Sequence, residues 1–167
     1  LVNGAAILIR PPPLVEVDEV LWDLTMETNL KGVFLCCKYA IPAMTANGGG
    51  SIVNISSMSG VRGVGYSVPY AVSKAGVIHL TTVAASQYTS QGVRINCIAP
   101  GGVDTPQMRG STASAEAFSG RNDGHPMGRV GTADEIANIV LWLASDEASY
   151  VSGSTYIIDG GAWASAT

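Results

Sequence analysis

The chain has 167 residues, with 9 Lys and Arg against 13 Asp and Glu for a net charge of −4; 47% of residues are hydrophobic and only 13% charged. This excludes a disordered chain and a phosphate-backbone binder, which would cluster Lys and Arg. No apolar run approaches the roughly 18 residues of a membrane span, the first residues do not read as a signal peptide, and the length suits one domain with a real core, over residues 1–167.

Leu1–Asn3 reads as the last part of a buried strand with no initiator methionine before it, so the sequence is expected to be a fragment. Pro11–Pro13 makes a stiff polyproline loop. Asp18 is a good helix N-cap, and Glu19 sits in the first turn, where the helix dipole favours a carboxylate. The helix is expected to run to about Thr45, bent near Asn29–Gly32. Asn47 and Gly48–Gly50 form a turn, Ser51–Ser56 a short buried strand, and residues 57–68 a Gly/Ser loop. Pro69 suits a first helical turn, and that helix continues to about Gln91, where Gly92 stops it. Val93–Ala99 is the next strand, and residues 100–131 form a long loop with room for a small helix. Thr132 caps a helix through about Ala144, and Thr155–Ile158 is a last short strand.

Strands alternating with helices specify an α/β fold, a parallel sheet with helices on its faces. Right-handed crossovers place successive helices on one face unless the chain reverses direction. Ligands of such sheets bind beyond the carboxyl ends of the strands, here Asn3–Ala6, Ser56–Gly60 and Pro100–Val103. Both long helices are poor in charge: Lys38 is the one charged residue from Val33 to Thr45, and Lys74 from Pro69 to Gly92. A helix with one face in water carries a charged stripe, so a homo-oligomer (dimer or tetramer) packed through these helices is expected. Cys36, Cys37 and Cys97 read as reduced, buried thiols of a cytoplasmic protein. Neither His79 nor His125 lies near a cysteine in sequence, and no metal site is expected.

Tyr70 and Lys74 stand four apart on a helix that begins just after the Ser56–Ser57 strand end, so they share one face. A phenol ordinarily loses its proton near pH 10, and an ammonium group a few ångström away favours the phenolate. Tyr70 is then able to exchange a proton with an alcohol or carbonyl oxygen, with Ser57 donating a hydrogen bond to the same oxygen. His79 lies nine residues on, about 900° of rotation, on the opposite side of the helix. Taken alone, Tyr-x-x-x-Lys is a weak signal whose ordinary reading is a surface tyrosine beside a solvated lysine.

Further residues make the sequence recognisable. Tyr70-Ala-Val-Ser-Lys74, Ser57 thirteen residues before the tyrosine, Asn29 in Thr-Asn-Leu-Lys-Gly, Arg94-Ile-Asn-Cys-Ile-Ala-Pro-Gly-Gly-Val-Asp-Thr105-Pro and Asp159-Gly-Gly occur in one order and spacing. In these the chain resembles the carboxyl-terminal two-thirds of the short-chain dehydrogenase/reductase family. The resemblance implies a Rossmann-like three-layer α/β/α sheet lacking its first strands, and an oxidoreductase that interconverts a secondary alcohol and a ketone with NAD or NADP. It implies that Tyr70 is the general acid/base, that Lys74 assists it and holds the nicotinamide ribose, that Ser57 positions the substrate oxygen, and that Asn29 holds a water in a proton relay. It implies cofactor contacts from Asn3, Ala5, Tyr70, Lys74, Pro100, Gly101, Val103 and Thr105. The loop from Pro106 to Gly131 would close over the substrate, with Met108, Phe118 and Met127 either touching it or only packing the loop. The cofactor carries the hydride; the protein supplies orientation and proton transfer.

Two departures stand out. Asn3-Gly-Ala-Ala6 replaces the family's Asn-Asn-Ala-Gly, removing an amide that could steady the central strand. Nothing matches the glycine-rich pyrophosphate turn; Gly60-Val-Arg-Gly63-Val-Gly65 has the wrong spacing and lies on the substrate side. The alternative is a catalytically inactive remnant acting as an oligomerising or binding module, while a serine hydrolase is excluded by the lack of a G-x-S-x-G elbow.

Overall fold

The computed structural model describes residues 1–9, 12–63, 67–110 and 125–165. Four parallel strands form one sheet in the order β1-β2-β3-β4: β1 Val2–Asn3, β2 Gly50–Ile55, β3 Val93–Pro100 and β4 Thr155–Ile158. The pairing register sets Asn3 beside Asn54, Asn54 beside Cys97, and Cys97 beside Thr155.

Between β1 and β2 run α1 (Glu19–Met26), a wide π turn (Glu27–Lys31) and α2 (Gly32–Ala46). Asp18 caps α1 by accepting from the Val20 N–H at 2.8 Å. The expected bend near Asn29–Gly32 is that π turn, in which the Gly32 N–H reaches back to the carbonyl of Glu27. Then come α3 (Met58–Val61) and α4 (Val68–Tyr88), which ends through a tight turn at Gly92 with φ 83°. After β3 lie α5 (Pro106–Gly110) and α6 (Ala133–Ala144), the latter opened by a reciprocal cap between Thr132 and Glu135.

The stretch at 57–68, expected to be loop, contains the four-residue α3. Ser57 nucleates it by accepting from the Ser59 N–H at 3.1 Å, and one turn is too short to leave a periodic pattern. Pro11, Gly65 and Phe118 of the sequence reading lie outside the described residues.

Both sheet faces are covered. On one, Ile52, Ile95 and Cys97 pack under Val33, Cys37 and Ile41 of α2 and Val77 and Ala84 of α4. On the other, Val53 and Ile98 pack under Leu143, Ile139 and Trp142 of α6. A sheet buried on both faces favours apolar residues on both sides of its strands; Ile52-Val53 and Cys97-Ile98-Ala99 supply them, while Asn54, Arg94 and Asn96 are held by side-chain hydrogen bonds. The three layers agree with expectation, but α6 does not share a face with α2 and α4. Since the strands advance in one direction throughout, the β3–β4 connection has the opposite hand to the two before it. Its length, residues 101–154, lets it cross to the face that α2 and α4 leave bare. There Arg94 of β3 donates to Leu143 O (3.0 Å), Ser145 O (2.9 Å) and Val151 O (3.4 Å), satisfying carbonyls at the end of α6.

Candidate active site

The carboxyl ends of β1, β2 and β3 open on one rim, and the chemistry-bearing residues gather there. Asn29 sits fully buried in the π turn. Its Nδ2 donates to Ile7 O (2.9 Å) and Ser73 Oγ (3.2 Å), while the Ile7 N–H donates to its Oδ1 (2.8 Å). Its side chain therefore holds the segment leaving β1 like a strand partner and ties it to α4. Ser67 adds a second tie, donating to Ile9 O at 3.0 Å.

Helix α4 delivers Tyr70, Ser73 and Lys74. Tyr70 is half-buried and Lys74 buried. Lys74 Nζ donates to Ile55 O at 2.8 Å, at the last residue of β2, and lies 5.6 Å from the centre of the Tyr70 ring. Burial lowers the pKa of Lys74 to about 8, because removing water penalises the charged form. Two neighbours set the height of α4. Ser56 Oγ donates to Lys74 O at 2.7 Å. Gly60 lies so close that a Cβ there would stand 2.6 Å from the Lys74 carbonyl carbon, an approach only glycine permits. Ser57 is half-buried one residue beyond Ser56. His79 is exposed further along α4.

Beneath the rim lies a run of buried side-chain amides. Asn3 Nδ2 donates to Asn54 Oδ1 (2.8 Å) and to Cys37 Sγ (3.6 Å), and Asn54 Nδ2 donates to Thr81 Oγ1 (2.9 Å). The amide of Asn3 is thus engaged inside the core, whereas Ala5 is exposed on the rim. Gly4 is exposed, and a Cβ there would make only an ordinary 3.6 Å contact with Ile55; the steadying amide is Asn3. Burial pushes the Cys97 thiol up to about 11 and also raises that of Cys37, so both stay protonated and unreactive at neutral pH.

The third side of the rim is the turn leaving β3. Pro100, Gly101, Val103 and Thr105 are all half-buried. Gly101 N–H donates to Ile158 O (2.9 Å), Val103 bridges to Gly131, and Thr105 Oγ1 accepts from the Met108 N–H (3.2 Å). The structure therefore brings Asn29, Ser57, Tyr70 and Lys74 together around the ends of β1 and β2. Sequence reasoning missed Ser56, Gly60, Ser73 and the Ile55 carbonyl. The Ser56–Gly60 strand end and the Tyr70–Lys74 motif contained three of them without marking their roles, and a backbone acceptor leaves no trace in residue type.

Residues 1–162 match the short-chain dehydrogenase family model described as enoyl-(acyl carrier protein) reductase. The chain belongs to the short-chain dehydrogenase/reductase family. Its relatives in that family include cis-4-hydroxycyclohexanecarboxylate dehydrogenase of Sinomonas cyclohexanicum, 42% identical over 96% of this chain and 64% of that protein. Among solved structures, levodione reductase superposes with a TM-score of 0.95 at 36% identity, covering 99% of this chain and 66% of that one. ElxO with NADP bound superposes with a TM-score of 0.91 at 34% identity, covering 98% and 66%. The chain thus spans 64% of the length of the first of these dehydrogenases. Among the described residues no helix is long and apolar enough to cross a membrane, and no three His, Cys, Asp or Glu side chains gather as metal ligands would.

Proposed function

We propose that the whole protein is an oxidoreductase that interconverts a secondary alcohol and a ketone with NAD or NADP, and that Tyr70 is its general acid/base. The observation that carries this reading is the buried Lys74 amine, fixed at 2.8 Å from Ile55 O and 5.6 Å from the Tyr70 ring. In its charged form Lys74 favours the phenolate, so Tyr70 takes the alcohol proton or returns it to the ketone oxygen. Ser57, at the end of β2, donates to that same oxygen. The side chain of Asn29 is engaged with Ile7 and Ser73, so any water it contributes to a relay towards Lys74 is held through its main chain, which the π turn widens.

A nicotinamide cofactor suits the turn leaving β3, where Gly101 and Gly102 lie close against Asp159 and His125, a Cβ on either standing 2.7 or 2.9 Å from them, so that the turn keeps a low backbone profile on the rim. The family and the NADP-bound relative support this fit. When bound, the cofactor supplies the hydride. Pro100, Gly101, Val103 and Thr105 would line it, Lys74 would hold its ribose, and Ala5 and the main chain of Asn3 would border it from the end of β1.

The same reading includes self-association in the cytoplasm. A groove of about 560 Å³ runs between α2 and α4, lined by Phe34, Ile41, Leu80, Val83 and Tyr88. Phe34 is 45% and Val83 41% exposed, and a second copy of the chain, presenting the same charge-poor face, suits it.

Tyr70→Phe tests the chemistry. The variant should lower turnover about 10²–10⁴-fold, the usual weight of a positioned acid/base, with unchanged thermal unfolding and unchanged NADH or NADPH fluorescence titration. Turnover that persists in Tyr70→Phe overturns the assignment.

A further inference from the structure

We infer that His125 is a positioning residue for the turn at Gly101–Val103, an inference that rests on the reading of that turn as the nicotinamide side of the site. The residue belongs to none of the motifs that carry the family likeness, and the chemistry described above leaves it unused.

Three observations converge on it. His125 Nδ1 lies 3.1 Å from the main-chain oxygen of Asp159. A carbonyl oxygen only accepts, so Nδ1 carries the hydrogen of that bond. The far edge of the same ring lies over Gly102: a Cβ built there would stand 2.9 Å from Nε2 and 3.3 Å from Cε1. The imidazole thus fills the space that a side chain at Gly102 would occupy, and the bare glycine and the ring are complementary. The residues that follow His125 are fastened to both turns. The Met127 N–H donates to Gly160 O (3.3 Å), the Gly131 N–H to Gly102 O (2.9 Å), and the Asp104 N–H to Gly131 O (2.9 Å). Asp159 is itself rigid, with its carboxylate accepting from the Gly161 N–H (3.0 Å) and the Trp163 N–H (2.6 Å).

The ring therefore spans two exits of the sheet, the turn after β3 and the turn after β4, and presses one against the other. The Gly101 N–H donates to Ile158 O and the Gly102 carbonyl accepts from the Gly131 N–H, but bonds at the two ends of a glycine pair leave the peptide between them freedom to rotate. A planar ring bonded on one side and packed on the other removes that freedom. Preorganisation of this kind lowers the ordering cost of binding, so His125 acts on the cofactor through Gly101 and Gly102 without needing to touch it.

Hydrogen exchange and fluorescence titration with NADH and NADPH, on wild type, His125→Ala and His125→Asn, test the inference. In His125→Asn the side-chain amide nitrogen takes the place of Nδ1 and keeps the donor. His125→Ala should speed exchange at the amides of Gly101, Asp104 and Gly131, leave those of β2 unchanged, and weaken nucleotide binding roughly fivefold to tenfold, the weight of about one hydrogen bond. His125→Asn should restore much of both. Unchanged exchange in His125→Ala overturns the inference whether or not a nucleotide binds, and so does faster exchange with undiminished affinity. A wild type that binds neither nucleotide overturns the reading under Proposed function, and the positioning role with it. A wild type that binds while His125→Ala binds equally well overturns the role of His125 alone.

Discussion

The amine of Lys74 is anchored by a strand rather than by the tyrosine one turn before it: Nζ donates to the main-chain oxygen of Ile55 at 2.8 Å while standing 5.6 Å from the centre of the Tyr70 ring. The anchor lies at the carboxyl end of β2, so the position of the charge is a property of the sheet. Tyr70 then adjusts to a fixed charge, and not the charge to Tyr70.

This anchoring has a pH signature. The pKa of Lys74 falls from 10.5 to about 8 on burial, so between those values the unfolded chain binds the extra proton. Stability contributed at this site therefore rises with pH across the window, by at most about 3 kcal/mol. Cys97 works in the opposite direction from 9.0 to about 11, losing stability as pH rises because the unfolded thiol ionises first. Urea unfolding of wild type and Lys74→Met from pH 7 to pH 10 separates the two. Wild type should gain relative to Lys74→Met as pH increases, and a constant difference would refute the burial argument.

Gly60→Ala should be costly for a residue outside any core cluster. Its Cβ would meet the backbone of Lys74 and Ala75 at 2.6 and 2.7 Å, and backbone atoms cannot swing aside. A loss of about 1–3 kcal/mol is expected, read as a lower midpoint in thermal unfolding. Ser56→Ala removes the 2.7 Å bond to Lys74 O without pushing α4 away, and should cost less.

The buried amides make a third case. Asn54→Leu leaves the Asn3 amide without its side-chain oxygen acceptor and removes the donor that meets Thr81. A cost of about 1–3 kcal/mol for each polar group so orphaned is expected in denaturant unfolding. Gly4→Asn serves as its control. The position is open and its nearest neighbour is the Ile55 side chain at 3.6 Å, so a change within about 0.5 kcal/mol is expected.

Self-association through α2 and α4 is tested by Val83→Glu. A carboxylate in the groove would be desolvated on association, a cost that Lys38, the one charged side chain lining it, would offset only in part. Sedimentation velocity should show a shift to monomer with circular dichroism unchanged; an unaltered sedimentation coefficient would rule this face out.

The order of elements was legible because each depends on local chemistry: Asp18 and Thr132 as caps, Gly92 as a stop, strands rich in Ile and Val between them. The proposed quartet of Asn29, Ser57, Tyr70 and Lys74 was picked out for a different reason, since residue types at fixed spacing survive in the sequence even though the contacts joining them do not. What escaped was non-local or main-chain. That Asn29 bonds Ile7 rather than presenting its amide depends on the path of residues 5–9, which no periodicity encodes. The side of the sheet taken by α6 could not be read either. The handedness rule concerns compact βαβ units, and the long stretch from 101 to 132 relaxes it. Met58–Val61 looked like loop because one helical turn carries no pattern.

The guanidinium of Arg94 accounts for carbonyls from Leu143, Ser145 and Val151 at once. Peeling the last forty or so residues away from β3 would strand a cation and bare three acceptors in the same event, so that layer has no cheap way to fray. Proteolytic nicking near Ser145 should wait for loss of the entire sheet, and the carboxyl-terminal layer should melt together with β3 rather than ahead of it.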